Sequence, residues 1–288
     1  MHEHGTRRIA LMNQKGGVGK TTTTVNLGAA LAQAGHRVLL IDLDPQAHLT
    51  LHLGLNPDDL DQTVYDLLVD DALAPEAVVQ RVENLSVIPA EVDLAAAEQE
   101  LVQRSDRHGI LRKKLSGLGE SFDFVLLDCP PSLGLLTMNG LVAANEVIVP
   151  MQSHFLALQG LSKLLETVQL VRQNLNSHLI VSGVILCVHE AQTNLAAEVV
   201  EDLKRFFEAS RKLSMPWSGA SIFSPPIRRN VKLAECPSFG QTIFQYAPHC
   251  PGADDYRKLG ESVAGASGPD SNSAPSEPPP PSGDGPAA

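Results

Sequence analysis

Gln14-Lys15-Gly16-Gly17-Val18-Gly19-Lys20-Thr21-Thr22 follows directly on the apolar run Ile9 to Met12 and leads into a helix-length segment, Thr22 to Ala34. A strand, a glycine-rich turn and a helix start, in that order, form an anion cradle. Glycine lets backbone N–H groups approach phosphate oxygens, and the helix dipole adds positive potential. Lys20 is then placed to meet β- and γ-phosphates, Thr21 to offer its hydroxyl to Mg²⁺ and Thr22 to reach an α-phosphate. The ordinary P-loop pattern puts glycine six residues before its lysine. Gln14 stands there instead, and a second lysine, Lys15, comes early in the loop.

Outward from this loop, strand-length apolar runs recur at Val38 to Leu43, Leu85 to Ile88, Phe124 to Leu127, Val147 to Val149 and Val181 to Val188. Helix-length segments such as Leu158 to Leu175 and Leu195 to Ala209 separate them. Near-continuous Val, Ile and Leu strands joined by helices predict an α/β, doubly wound, mostly parallel sheet of P-loop NTPase architecture, covered on both faces. Gly35 marks the expected end of the first helix. Residues 1–266 read as one domain. From 267 to 288 the composition turns to Pro, Ser and Gly, with too little apolar material to repay ordering, so this tail is expected to be disordered.

Two further strands end in acids at the edge where α/β sheets bind ligands. One is Ile41-Asp42-Leu43-Asp44-Pro45-Gln46. The other is Phe124-Val125-Leu126-Leu127-Asp128-Cys129-Pro130-Pro131. Taken without the upstream loop, Asp44 also admits a lesser reading as the cap of a turn before Pro45. Cys129, with no second cysteine suitably placed, reads as a small filler rather than a cluster ligand.

Bulk composition excludes several classes. The apolar runs are too short and interrupted to span a bilayer, and 43% hydrophobic content in 288 residues suffices for one large core. Cys129, Cys187, Cys236 and Cys250 lie far apart with no C-x-x-C pair, which points to reduced thiols in the cytoplasm. Met1 to Arg8 carries charge but no apolar segment, so it is not a secretory signal. A net charge of -11 argues against coating nucleic acid through the overall field, leaving any such contact to a local patch. One stretch runs against the acidic average: Lys204, Arg205, Arg211, Lys212, Arg228, Arg229 and Lys232 are opposed within it by Glu208 alone. It reads either as that patch or as a solvated helix face plus a loop.

The loop from Lys15 to Thr22 is similar to the deviant Walker A motif of the ParA/MinD superfamily. With the D-x-D-P-Q segment at Asp42 to Gln46 and the acid-ended strand at Asp128, the chain resembles the ParA/Soj ATPases that segregate bacterial chromosomes. The similarity extends from about Arg8 to about Ala264 and takes in Pro150-x-Gln152, Gly160-Leu161 and Arg229-Asn230-Val231-x-Leu233-Ala234-Glu235. The resemblance implies ATP and Mg²⁺ as ligands, with ATP held by Lys15, Gly16, Gly17, Val18, Gly19, Lys20, Thr21 and Thr22. It implies that Lys15 reaches the partner's phosphates in an ATP-dependent homodimer, that Asp44 serves the attacking water, and that Thr21, Asp42 and Asp128 attend the metal. It further implies non-specific DNA binding through Arg228, Arg229 and Lys232, a ParB-type partner, and a cytoplasmic, nucleoid-associated protein without membrane attachment.

Departures from the family pattern bear on the DNA and base sites. Where relatives read L-D-x-R-T-N this chain has His189-Glu190-Ala191-Gln192-Thr193-Asn194, so a DNA-associated cation is replaced by Gln192, and a proline before Arg229 has become Arg228. Glu190 and Arg228 therefore fall on positions that help enclose adenine in relatives. Ser210 to Ser224, with Trp217, is longer than the usual connection and reads as a partner surface or a loop insertion. Two alternatives share the P-loop. One is a MinD-like or other cargo-positioning ATPase; the MinD-like, membrane-positioning form is expected to end in a basic amphipathic helix, which the Pro-rich tail is not expected to form. A ligase or amidase of the superfamily would need a pocket for a second small substrate.

Overall fold

The computed structural model describes residues 5–154 and 157–266; the tail expected from 267 onward lies outside the described residues. Eight strands are described: β1 Arg7–Leu11, β2 Val38–Asp42, β3 Gln80–Val82, β4 Leu85–Ile88, β5 Phe124–Asp128, β6 Glu146–Gln152, β7 Ile180–Cys187 and β8 Ser221–Ile222. The helices are α1 Lys20–Gln33, α2 His48–His52, α3 Val64–Val69, α4 Pro75–Val78, α5 Leu94–Leu101, α6 Ile110–Ser116, α7 Leu135–Ala143, α8 Ala157–Asn174, α9 Asn194–Ser210, α10 Val231–Glu235, α11 Ile243–Tyr246 and α12 Pro251–Gly265.

The sheet order is β3-β4-β2-β5-β1-β6-β7-β8. Every pairing is parallel except the β3–β4 hairpin at one edge. The chain leaves β1 toward β2 on one side and later places β6 on the other. The order thus reverses at β1, and the crevice beyond its carboxyl end is where such sheets bind ligands.

Alternate residues of each central strand feed two cores. Ile9 and Leu11 of β1 pack with Val25 and Leu27 of α1 and with Tyr256 and Leu259 of α12. Ala10 and Met12 face the opposite layer, with Leu141 of α7 and Leu164 and Val168 of α8. This double coverage is what makes the strands read as unbroken apolar runs. The first helix stops as expected: Gly35 follows it at φ 93°, a left-handed conformation that suits glycine.

The Ser210–Ser224 connection is divided: Arg211 to Ser214 are exposed, whereas Pro216, Trp217 and Ala220 pack inward. Trp217 is 9% exposed, its indole N–H donates to Ser210 Oγ (3.2 Å), and Ala220 beside it is buried. Within it Ser221–Ile222 form β8, which pairs with β7 and extends the sheet.

Candidate nucleotide site

Gly17 and Gly19 have φ of 70° and 96°, so the curl of the loop depends on residues that tolerate the left-handed region. At Gly19 the loop also lies in ordinary van der Waals reach of the sheet. A β-carbon there would lie 3.4 Å from Cβ of Cys187 at the end of β7. Helix α1 then starts at Lys20 with its first N–H groups lacking intrahelical partners, as an anion cradle requires. Lys20 is 8% exposed, with its Nζ 3.4 Å from the carbonyl of Lys15.

Asp128 ends β5 in register with Leu11 of β1 and with Asp42 of β2. Thr21 Oγ1 donates to its Oδ2 (2.6 Å) and Thr24 Oγ1 to its Oδ1 (3.0 Å). Burial pushes the Asp128 carboxyl up to about 6, against the opposing pull of Thr21 and Lys20. Burial, with the neighbouring charge of Asp128, pushes Asp42 up to about 7. Two buried carboxylates side by side resist joint ionisation, and a cation at the same place would favour the charged forms. The hydroxyl of Thr21 beside the carboxylate of Asp128 is a hard-oxygen donor pair of the kind Mg²⁺ takes, so these two residues fit the metal.

Asp42 is engaged differently. Its Oδ1 accepts from Asp44 N (3.1 Å), and its Oδ2 accepts from Thr50 N (3.0 Å) and Thr50 Oγ1 (2.8 Å), which ties the end of β2 to α2. Asp44 is half-buried. One of its carboxylate oxygens accepts from Gln46 N (3.0 Å), so it does cap the turn before α2, and the other makes no hydrogen bond among the described residues. The turn ends at Ala47, whose φ of 51° is left-handed.

The basic residues come together less openly than the sequence suggested. Arg228 lies just before α10 and grips Asp255 through Nε (2.8 Å) and Nη2 (2.6 Å). Arg229 pairs with Glu190 (3.0 Å) and Lys232 with Glu235 (2.8 Å). Lys204 and Arg205 lie on the exposed face of α9, where Arg205 pairs with Asp202 (2.7 Å). Counting charge along one stretch shows Glu208 alone, whereas the fold brings in Glu190 and Asp255, and Asp202 and Glu235, just outside the stretch, pair one helical turn away.

Sequence reasoning missed Thr24, whose spacing of three from Thr21 puts both hydroxyls on one side of α1. It also missed Thr50, Asn13 and Gln152. For Gln152 the signal was present in the Pro150-x-Gln152 motif, but nothing local says what it holds. Cys129 is a fully buried filler, its thiol pushed up by burial, and a β-carbon at Gly140 would come within 2.9 Å of its sulfur.

A glycine loop at the switch point of a doubly wound sheet, carrying two lysines and a threonine bonded to a strand-end aspartate, defines a P-loop nucleotide-binding protein. A family model described as an AAA domain matches residues 6–181. The chain is 47% identical over 257 residues to the sporulation initiation inhibitor protein Soj of Bacillus subtilis, covering 89% of this chain and 97% of that one. It is 41% identical over 258 residues to the chromosome partitioning protein ParA of Myxococcus xanthus, covering 89% and 87%. Among solved structures it is similar to a cobyrinic acid a,c-diamide synthase of Mycobacterium smegmatis with bound ADP and magnesium, at 37% identity and a TM-score of 0.75, covering 90% and 94%. The chain belongs to the Soj/ParA family of chromosome-partitioning ATPases.

Proposed function

We propose that the chain is an ATP-hydrolysing switch that dimerises on ATP, binds DNA without sequence preference as a dimer, and works with a ParB-type partner in chromosome or plasmid partitioning. The observation that carries this reading is the loop that bears Lys15 and Lys20 together, with Thr21 bonded to Asp128, in a chain whose relatives match it over nearly their whole length. Lys20 and the start of α1 hold the phosphates. Thr21 and Asp128 hold Mg²⁺, which when bound draws off charge developing on phosphate oxygens. Asp42 supports that site by fixing α2 against β2. Asp44, with one carboxylate oxygen committed to its own turn, uses the other to orient the attacking water. Lys15 brings positive charge to the partner's phosphates only when two subunits meet, as an arginine finger does. Dimerisation also doubles a modest cation face, which is how an acidic chain concentrates positive potential on DNA.

Size-exclusion chromatography with ATP and Mg²⁺ tests the scheme. Lys20→Ala should lose nucleotide binding, Asp44→Ala should accumulate as an ATP-bound dimer, and Lys15→Ala should bind ATP yet stay monomeric. A monomeric Asp44→Ala protein that still binds ATP refutes it. The likeness to a diamide synthase supports a second reading, an ATP-dependent amidase. That reading predicts ATP turnover stimulated by a small carboxylic acid and indifferent to DNA.

A further inference from the structure

Several contacts around the early lysine have no part in holding phosphate or metal. Asn13, 9% exposed, stands between β1 and the loop. Its Oδ1 accepts the backbone N–H of Lys15 (3.0 Å), and its Nδ2 donates to the carbonyl of Pro150 in β6 (2.8 Å). Two residues further along β6, Gln152 Nε2 donates to the carbonyl of Gly17 (3.0 Å), with His154 Nε2 at 2.7 Å from Gln152 Oε1. On the far side α8 presents Gly160, where a β-carbon would lie 3.7 Å from Cε of Lys15. The Lys15 stem thus runs along a small cleft lined also by Asn13, Gln152 and His154.

The loop is therefore held in two halves. Lys20 and Thr21 belong to α1 and are fixed by β5 through Asp128. The half from Lys15 to Gly17 is fixed by β6. Packing does little there: β-carbons at Gly16 and Gly17 would meet nothing within 4 Å. Glycine carries more conformational freedom than any other residue, so an unpacked Gly-Gly pair stays ordered only if its peptides are tethered. Fixing the N–H of Lys15 and the carbonyl of Gly17 fixes the two peptide planes that flank the segment from Lys15 to Gly17.

We infer that Asn13 and Gln152 are positioning residues for Lys15, clamping the early half of the loop to β6 so that the lysine leaves it in the direction a second subunit requires. This rests on the proposed action of Lys15 across the dimer. Because Lys20 and Thr21 are anchored separately, through α1 and Asp128, the clamp governs dimerisation more than nucleotide affinity.

The full chain carrying Asn13→Ala or Gln152→Met, with Lys15→Ala as reference, decides this. Analytical ultracentrifugation in Mg²⁺ and a non-hydrolysable ATP analogue gives the dimer constant. A fluorescent ATP analogue gives nucleotide affinity, and hydrogen exchange over residues 13–18 reports the tether. Each clamp variant should weaken dimerisation about tenfold, from the loss of one or two hydrogen bonds, hold nucleotide affinity within about threefold, and speed exchange across the loop. Gln152 is half-exposed, so Gln152→Met keeps the test alive if Asn13→Ala fails to fold. Parental dimerisation in the clamp variants beside an impaired Lys15→Ala overturns the inference alone. So does a loss of nucleotide affinity equal to the loss of dimerisation, the mark of general loop damage. A Lys15→Ala protein that dimerises normally removes the trans role itself, and the clamp with it.

Discussion

Replacing Arg228 by methionine separates a structural cation from a DNA-facing one. The Asp255 side chain is 2% exposed and accepts from Arg228 three times: from the backbone N (3.1 Å), Nε (2.8 Å) and Nη2 (2.6 Å). Methionine keeps the first bond and most of the aliphatic stem and removes the two charge-assisted bonds. Stripping the partner from a buried charge costs about 3–5 kcal/mol in general. Here the guanidinium side chain is 57% exposed, so water can follow it to Asp255 and screening already weakens the pair, which lowers the expected cost to ~1–2 kcal/mol. At about 2–4 °C per kcal/mol for a large domain, the thermal midpoint should fall by roughly 2–8 °C. Scanning calorimetry on Arg228→Met, with Arg228→Met/Asp255→Asn beside it, measures this. The double variant should recover part of the loss, because a neutral amide needs no cation. An unchanged midpoint in Arg228→Met would refute the structural assignment and return Arg228 to the DNA face. Arg228→Glu is the wrong probe of DNA binding, since it sets a second carboxylate against Asp255 and destabilises the fold for reasons unrelated to DNA.

Lys232 carries the DNA question more cleanly, because its partner Glu235 is only half-buried and also accepts from Tyr246, so no buried acid loses its sole partner. Lys232→Met should leave ATP binding intact and flatten the salt dependence of ATP-dependent DNA binding by about one unit of log–log slope for each phosphate it no longer neutralises; an unaltered slope places the DNA face elsewhere. His52 sets an acid limb of stability. Burial holds its imidazole down at about 4, while in the unfolded chain it titrates near 6.5, so the unfolded state takes up the proton first and stability rises with pH between those values. The contribution is complete above pH 6.5 and is lost as the pH falls to 4, amounting to roughly 2–4 kcal/mol. Urea unfolding at about pH 4.5 and about pH 7 should show that difference shrink in His52→Gln, and an equal acid slope in both proteins would refute it.

Six strands, the covered sheet and the phosphate loop were legible because each is a local pattern: an apolar run of strand length, or glycines at fixed offsets before a lysine. The edge strands β3 and β8 were not, since runs of two or three residues carry no period. The helix α12 was missed because its buried face, with Tyr256 and Leu259, is interrupted by charged residues and opens on Pro251 after a string of turns. The site divides in the same way. A residue's chemical type follows from the motif, but its partner is delivered by the fold. Asp42 shows the consequence. As a strand-end acid two residues before Asp44 it reads as part of the magnesium shell. In the structure Thr50, eight residues further on, occupies one carboxylate oxygen through both its N–H and its hydroxyl, and that hydroxyl also accepts from Ala90 N (2.9 Å). Asp42 thus fixes α2 against the sheet. At its other end α2 abuts the turn after α10, with His52 Nε2 3.6 Å from Cys236 Sγ and the backbone of Gly240 close enough that a β-carbon on it would lie 2.7 Å from Cα of Gly54. Helix α2 is thus tethered at its middle through Thr50 and beyond its end at Gly54, so the segment between it and Asp44 is residues 45–47, where Ala47 holds a left-handed φ.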